Sequence, residues 1–234
     1  MRLDKFICEA TYLTRSQAKK AMHRGEVFCD GVMVKDPSFK VKEDTKVTLD
    51  GEELSLIGLR YLMMHKPEGV ICSTQDEEYQ CVISLLDIEK PELLRIAGRL
   101  DVDTTGLVLM TDDGQWSHQI TSPKKACGKR YRVEVADPLT EEVVAQFEQG
   151  IMLNGEDEPT RPAKLEILSA NEALLTIVEG KYHQVKRMFG AIGNKVVGLH
   201  RESVGRIELD ADLEPGEWRY LTEAEIASVQ GNKA

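Results

Sequence analysis

A chain of 234 residues with 41% hydrophobic residues can bury a core in one large domain or two small ones. No apolar run approaches the ~20 residues of a membrane span, the start lacks a signal-peptide core, and the five cysteines (8, 29, 72, 81, 127) form no CxxC pair; together these predict a cytoplasmic protein with reduced thiols and argue against a zinc site. The net charge of −10 excludes a uniformly basic nucleic-acid binder, yet the cations are gathered: residues 1–24 carry six Lys/Arg against two acids, 121–133 five against none, and 181–206 six against one. The acids lie elsewhere, in Asp76-Glu77-Glu78, in Glu156-Asp157-Glu158 and in the last 28 residues.

In chain order, Leu3, Phe6 and Ile7 give a short first helix one apolar face. Thr14-Arg15-Ser16-Gln17 is a capping-box start for a second helix, and Gly25 is its stop. Ala18, Ala21 and Met22 recur at helical spacing, while Arg15, Lys19, Lys20, His23 and Arg24 cover the remaining surface. Val27-Phe28-Cys29 and Val32-Met33-Val34 flank Asp30-Gly31, a hairpin signal. Residues 1–50 therefore read as one small module, 51–60 as a linker, and 61–234 as a larger module.

In the larger module, Tyr61-Leu62-Met63-Met64 leads through Lys66-Pro67-Glu68-Gly69 into Val70-Ile71-Cys72. Leu107-Val108-Leu109-Met110, bounded by Gly106 and Asp112-Asp113-Gly114, predicts a buried strand. Tyr131, Val133 and Val135 alternate with charged residues, as in a strand with one polar face. A helix is expected after Thr140, and a hairpin turns near Asn171. Val185, Met188, Phe189 and Ile192 mark the buried face of another helix. Hairpins with interspersed helices predict an α+β fold, with a mostly antiparallel sheet and flanking helices. No GxGxxG or Walker motif occurs, so no nucleotide cofactor is expected.

The segment Gly98-Arg99-Leu100-Asp101-Val102-Asp103-Thr104-Thr105-Gly106 places acidic, basic and hydroxyl groups immediately before that buried strand. Rigidly held polar loops are common seats of catalysis. Spacing alone leaves open a pair of acid/base carboxylates or an Asp-rich turn satisfying its own backbone. A calcium loop fits poorly: the ninth position is Leu109 and the twelfth is Asp112 rather than Glu.

Gly98-Arg99-Leu100-Asp101 with Asp103-Thr104-Thr105-Gly106-Leu107 resembles the signature of pseudouridine synthases of the RsuA type. Four further pieces resemble the same family in the same order: Lys66-Pro67-Glu68-Gly69, Lys129-Arg130-Tyr131, Glu179–Phe189 with its His183-Gln184-Val185-Lys186-Arg187 core, and Leu199-His200-Arg201 with Gly205 beyond. Residues 1–50 look like an S4 domain, a small RNA-binding module. The resemblance spans nearly the whole chain.

The resemblance implies a definite chemistry. Pseudouridine formation breaks a glycosidic C–N bond and rejoins the same base through carbon, so it requires no metal, ATP or redox cofactor. It implies Asp101 as the carboxylate beside the ribose, Lys186 as its cationic partner and Tyr131 as the ring stacked on a base taken out of the helix. Arg99 and Arg187 are implied as substrate or phosphate contacts and Leu199 as a pocket residue. His118, His183 and His200 read as structural or RNA-facing. Arg15, Lys19, Lys20 and Arg24 are expected to bind the RNA backbone. The expected function is isomerisation of one uridine in small-subunit (16S) ribosomal RNA, free or within an assembly intermediate, by a monomer. A synthase acting on large-subunit RNA, a non-catalytic RNA-binding or ribosome-assembly protein, and a base-removing N-glycosidase remain alternatives.

Overall fold

The computed structural model describes residues 1–75 and 78–229; Asp76 and Glu77 of one acidic run, and the last five residues of another, lie outside them. The chain divides into two compact units, Met1–Gly58 and the remainder from Leu59.

The first unit opens with α1 (Leu3–Ala10) and α2 (Arg15–Arg24). Their apolar faces meet over a core of Leu3, Phe6, Ile7, Ala18, Ala21 and Met22. The capping box forms: Gln17 N–H donates to Thr14 Oγ1 (3.3 Å), and Thr14 N–H donates to Gln17 Oε1 (2.8 Å). Gly25, in the left-handed region at φ +81°, ends α2. Strands β1 (Val27–Cys29), β2 (Val32–Met33), β3 (Val47–Leu49) and β4 (Glu52–Leu54) make an antiparallel sheet in the order β2-β1-β3-β4. Asp30 and Gly31 both take positive φ between β1 and β2, as the short hairpin requires. Glu52–Leu54 fall within the stretch expected as linker, but they pair with Val47–Leu49 and extend this sheet.

The second unit holds β5 (Tyr61–Lys66), β6 (Arg95–Ile96), β7 (Thr105–Thr111), α3 (Gly114–Thr121), β8 (Lys129–Val135), α4 (Glu141–Gln149), β9 (Lys164–Ser169) and β10 (Glu172–Ile177). It continues with α5 (Gln184–Ala191), β11 (Val196–Val204), β12 (Ile207–Glu208), β13 (Trp218–Tyr220) and α6 (Glu223–Val229). The sheet runs β13-β5-β7-β11-β8-β10-β9, with β12 beside β11 and β6 beside β7. Among the described residues, the strands of this sheet pair antiparallel except β7 with β11. Both faces are covered at β5 and β7: Leu62, Met64, Val108 and Met110 join one core, while Met63, Leu107 and Leu109 join the other with Trp116 and Ile120. Double coverage explains why Leu107–Met110 is continuously apolar rather than alternating.

The parallel seam between β7 and β11 is close. His200 pairs with Thr105 and Arg201 with Gly106. Gly106 has φ +108°, and a Cβ there would lie 2.3 Å from the Arg201 carbonyl oxygen. Only glycine lets the two backbones approach this far.

Candidate active site

The loop between β6 and β7 is tied down at successive residues. Gly98 O accepts from Arg201 Nη2 (2.7 Å), and Leu100 N–H donates to Cys72 Sγ (3.2 Å). Asp101 O accepts from Thr104 N–H (3.1 Å), and Val102 O from Gly69 N–H (2.8 Å). Lys66 adds a fully buried ammonium, which donates to the carbonyls of Pro67 (2.8 Å), Val70 (2.6 Å) and Val102 (3.3 Å). Burial lowers the Lys66 pKa. The turn at residues 66–69 thus clamps the 98–104 loop through backbone atoms and a cation.

Asp101 projects from this loop with its side chain 30% exposed. Two residues of the 183–186 segment meet it: Lys186 Nζ lies 3.1 Å from Oδ2, and His183 Nε2 lies 3.4 Å from Oδ1. Lys186 also donates to Asp103 Oδ1 at 2.6 Å. Burial works to lower the Lys186 pKa, but its bonds to Asp103 and Asp101 outweigh this and hold it above the ordinary lysine value. Asp103 is held below its usual range, chiefly by the Lys186 hydrogen bond. One ammonium is therefore shared by two carboxylates, with an imidazole on the far oxygen of Asp101.

The position of His183 follows from the backbone. It precedes α5 with φ +46°, in the left-handed region, where histidine is found more often than most side chains. Gln184 locks the approach, since its Oε1 accepts from Lys181 N–H (2.9 Å) and its Nε2 donates to Glu179 Oε1 (2.9 Å). Val185, Met188 and Phe189 bury the opposite face of α5. Lys186 is thereby left on the side facing the loop.

Tyr131 lies on β8 and is 7% exposed. Its hydroxyl accepts from Arg201 Nη1 at 3.4 Å, and the Arg201 guanidinium lies 5.9 Å from its ring centroid. Arg201 is 1% exposed; besides Gly98 O, it donates to Leu107 O (2.8 Å). It joins Tyr131 to the loop that carries Asp101. Leu199 packs half-buried against the larger core, and Arg99 is exposed on the loop.

The structure does not gather all the expected residues. Arg187 turns away from Asp101: it donates to Glu156 Oε1 (3.0 Å), Tyr182 O (3.0 Å) and Asn154 O (2.8 Å). In the first unit, Arg15, Lys19 and Lys20 are exposed on α2, whereas Arg24 is ion-paired with Glu26. Lys20 and Arg24 line a groove of about 490 Å³ together with Tyr12 and Gln17. Sequence reasoning missed the contact of His183 with Asp101 and the role of Arg201 as a tie. The sequence carries no signal for the His183 contact beyond its nearness to Lys186, because the left-handed backbone at His183 lies outside the helical pattern. Among the described residues, no three His, Cys, Asp or Glu side chains are grouped to hold a metal ion, and no helix is long and apolar enough to cross a membrane.

The profile of the RNA pseudouridylate synthase family matches residues 60–191, and that of the S4 domain matches residues 1–51. The chain is 58% identical over 229 residues to the ribosomal small subunit pseudouridine synthase A of Vibrio cholerae serotype O1, covering 98% of this chain and 99% of that protein. It is 50% identical to the protein of the same name from Escherichia coli strain K12, covering 98% and 100% respectively. A crystal structure of a pseudouridylate synthase superposes with a TM-score of 0.71 at 51% identity, over 98% of this chain and 99% of that one.

Proposed function

The chain belongs to the RNA pseudouridylate synthase family, and from that premise we propose that it converts one uridine of small-subunit ribosomal RNA to pseudouridine, with Asp101 as the reacting carboxylate. The substrate class is supported by whole-length similarity to relatives named for the small ribosomal subunit. The assignment of Asp101 is carried by one observation: it is a carboxylate reachable from solvent, on a rigid loop, with a cation and an imidazole on its two oxygens.

Lys186 and His183 fix the directions of Oδ2 and Oδ1. Asp101 then meets the ribose as an aimed carboxylate, either to attack C1′ or to remove a proton beside it. When the C–N bond breaks, the base must turn and present a carbon to the same sugar. Tyr131 forms the wall against which it turns, and Arg201 holds the phenol in place. Leu199 supplies an apolar contact for the base, and Arg99, exposed beside Asp101, meets phosphate. Arg187 acts from behind by fixing the turn before α5.

The first unit docks the RNA through Arg15, Lys19 and Lys20 on α2, with Arg24 at the groove edge. The protein works as a monomer in the cytoplasm, on ribosomal RNA or a small-subunit assembly intermediate. The test is a map of pseudouridines in ribosomal RNA from cells lacking the protein. One small-subunit position should lose its modification, regain it with the wild-type chain, and not regain it with Asp101→Asn. Loss in the large subunit instead, or full rescue by Asp101→Asn, would overturn the assignment.

A further inference from the structure

Tyr182 is conspicuous beside this centre. It is 75% exposed, yet its ring is not free to wander. It stacks on the His183 imidazole with centroids 3.7 Å apart and planes 22° from parallel. The same imidazole puts Nε2 3.4 Å from Asp101. The backbone under Tyr182 is fixed as well: its carbonyl accepts from Arg187 Nη1, and Arg187 is itself held by Glu156 and Asn154 O. Lys181 on the other side is bonded to Gln184 Oε1 through its N–H and to Glu156 through its ammonium.

We propose that the outer face of Tyr182 is a stacking platform for the nucleobase adjoining the target uridine in the RNA chain. The proposal rests on the reading of Asp101 as the group acting on that uridine. Turning a uridine out of the stack leaves the next base without its neighbour, which costs a few kcal/mol of stacking. A flat ring one imidazole away from the reacting carboxylate replaces that neighbour. Its ordering is already imposed by His183 and Arg187, so binding freezes little further. Lys181 and Arg187 beside the ring are both engaged by Glu156, so it is the ring's place beside Asp101, not local charge, that points to an RNA base. A stacking platform reads no base edge and so tolerates any base at that position.

The experiment uses the full chain and a small-subunit RNA oligonucleotide centred on the mapped uridine. It is compared with the same oligonucleotide made abasic at the residue before or after that uridine. Stacking of one base is worth about 1–3 kcal/mol, or about five- to 150-fold in affinity. Tyr182→Ala should raise KM on the intact RNA by a factor in that range, and Tyr182→Phe, which keeps the ring, should recover most of it. On one of the abasic RNAs the wild type should already show the loss, and Tyr182→Ala should add nothing to it. The platform is refuted if Tyr182→Ala binds intact RNA as the wild type does, or if its loss is the same on intact and abasic RNA. It is equally refuted if kcat alone falls, since Tyr182 would then act only by supporting His183. Isomerisation of the intact oligonucleotide by Asp101→Asn at the wild-type rate would instead remove the reading of Asp101, and the platform with it.

Discussion

Gly106→Ala gives the sharpest test of how the site is assembled. An alanine Cβ there would lie 2.3 Å from Arg201 O, 2.6 Å from Arg201 N and 2.9 Å from its carbonyl carbon. All three are backbone atoms in the middle of β11, so no side-chain rotation relieves the contact. Overpacking of this kind costs about 1–3 kcal/mol, and holding a non-glycine residue at such a positive φ adds about 1–3 kcal/mol. The sum, about 2–6 kcal/mol, is a large part of the 5–15 kcal/mol typical of a folded domain. At about 2–4 °C per kcal/mol the melting point of the second unit should fall by roughly 4–24 °C. Gly155→Ala separates the two contributions, because Gly155 also has positive φ (+79°) but nothing within 4 Å of its Cβ. It should cost only the backbone strain, about 1–3 kcal/mol or roughly 2–12 °C, and in any case less than Gly106→Ala. The same Gly106→Ala protein, assayed below its melting point, should also lose single-turnover rate, since the seam carries the Asp101 loop on one side and Arg201 on the other. Equal melting points for the two variants would refute the argument that the close seam builds the site.

Other outcomes follow from the ion pairs. Asp101→Asn should abolish pseudouridine formation in a product assay, whereas Asp103→Asn should keep most of it, because Asp103 only shares Lys186; the reverse pattern would assign the wrong carboxylate. Among the α2 cations, Arg15→Ala, Lys19→Ala and Lys20→Ala should each lower the salt dependence of RNA binding by roughly 0.7–0.9 log units per contact removed. Arg24→Ala should lower it less, since Glu26 already engages that guanidinium; filter binding across a salt series reads both. Glu225 is pulled down to about 2 by Arg219, against an ordinary value near 4.5. A depressed carboxyl stabilises the fold above its unfolded pKa and loses that contribution as pH falls toward its folded one. Acid should therefore weaken the wild type between pH 4.5 and 2, and the melting curves of Glu225→Gln should flatten in that window.

Local features were the legible ones. The capping box at Thr14 and Gln17, the Asp30-Gly31 turn, the apolar run of β7 and the buried face of α5 each depend on neighbours within a few residues, and each formed as the pattern predicts. The resemblance brought Asp101 and Lys186 together across the chain, and the structure places their charged atoms 3.1 Å apart. Helical periodicity does not carry a left-handed backbone at a histidine, so the turn that puts His183 on Asp101 stayed hidden. Glu52–Leu54 read as linker because two glutamates and a glycine carry no strand signal; pairing with β3 overrides propensity there. The resemblance implies Arg187 as a substrate or phosphate contact, but Asn154 O and Glu156 of a distant loop, with Tyr182 O, engage its guanidinium.

The position of β11 has a kinetic consequence during synthesis. This strand lies between β7 and β8, yet it is made after both of them and after the β9–β10 hairpin. Until Val196 and its successors leave the ribosome, β7 and β8 have no partner across the gap and the sheet exists as two halves. About 60 residues separate the end of β8 from the start of β11, a delay of about 3–12 s at 5–20 residues per second. Throughout that interval each half presents an unpaired apolar edge, the kind of surface that pairs with the wrong chain. A nascent chain halted before β11 should therefore be captured by chaperones or aggregate, and it should have no competent centre, because Arg201 and the β7 seam arrive together.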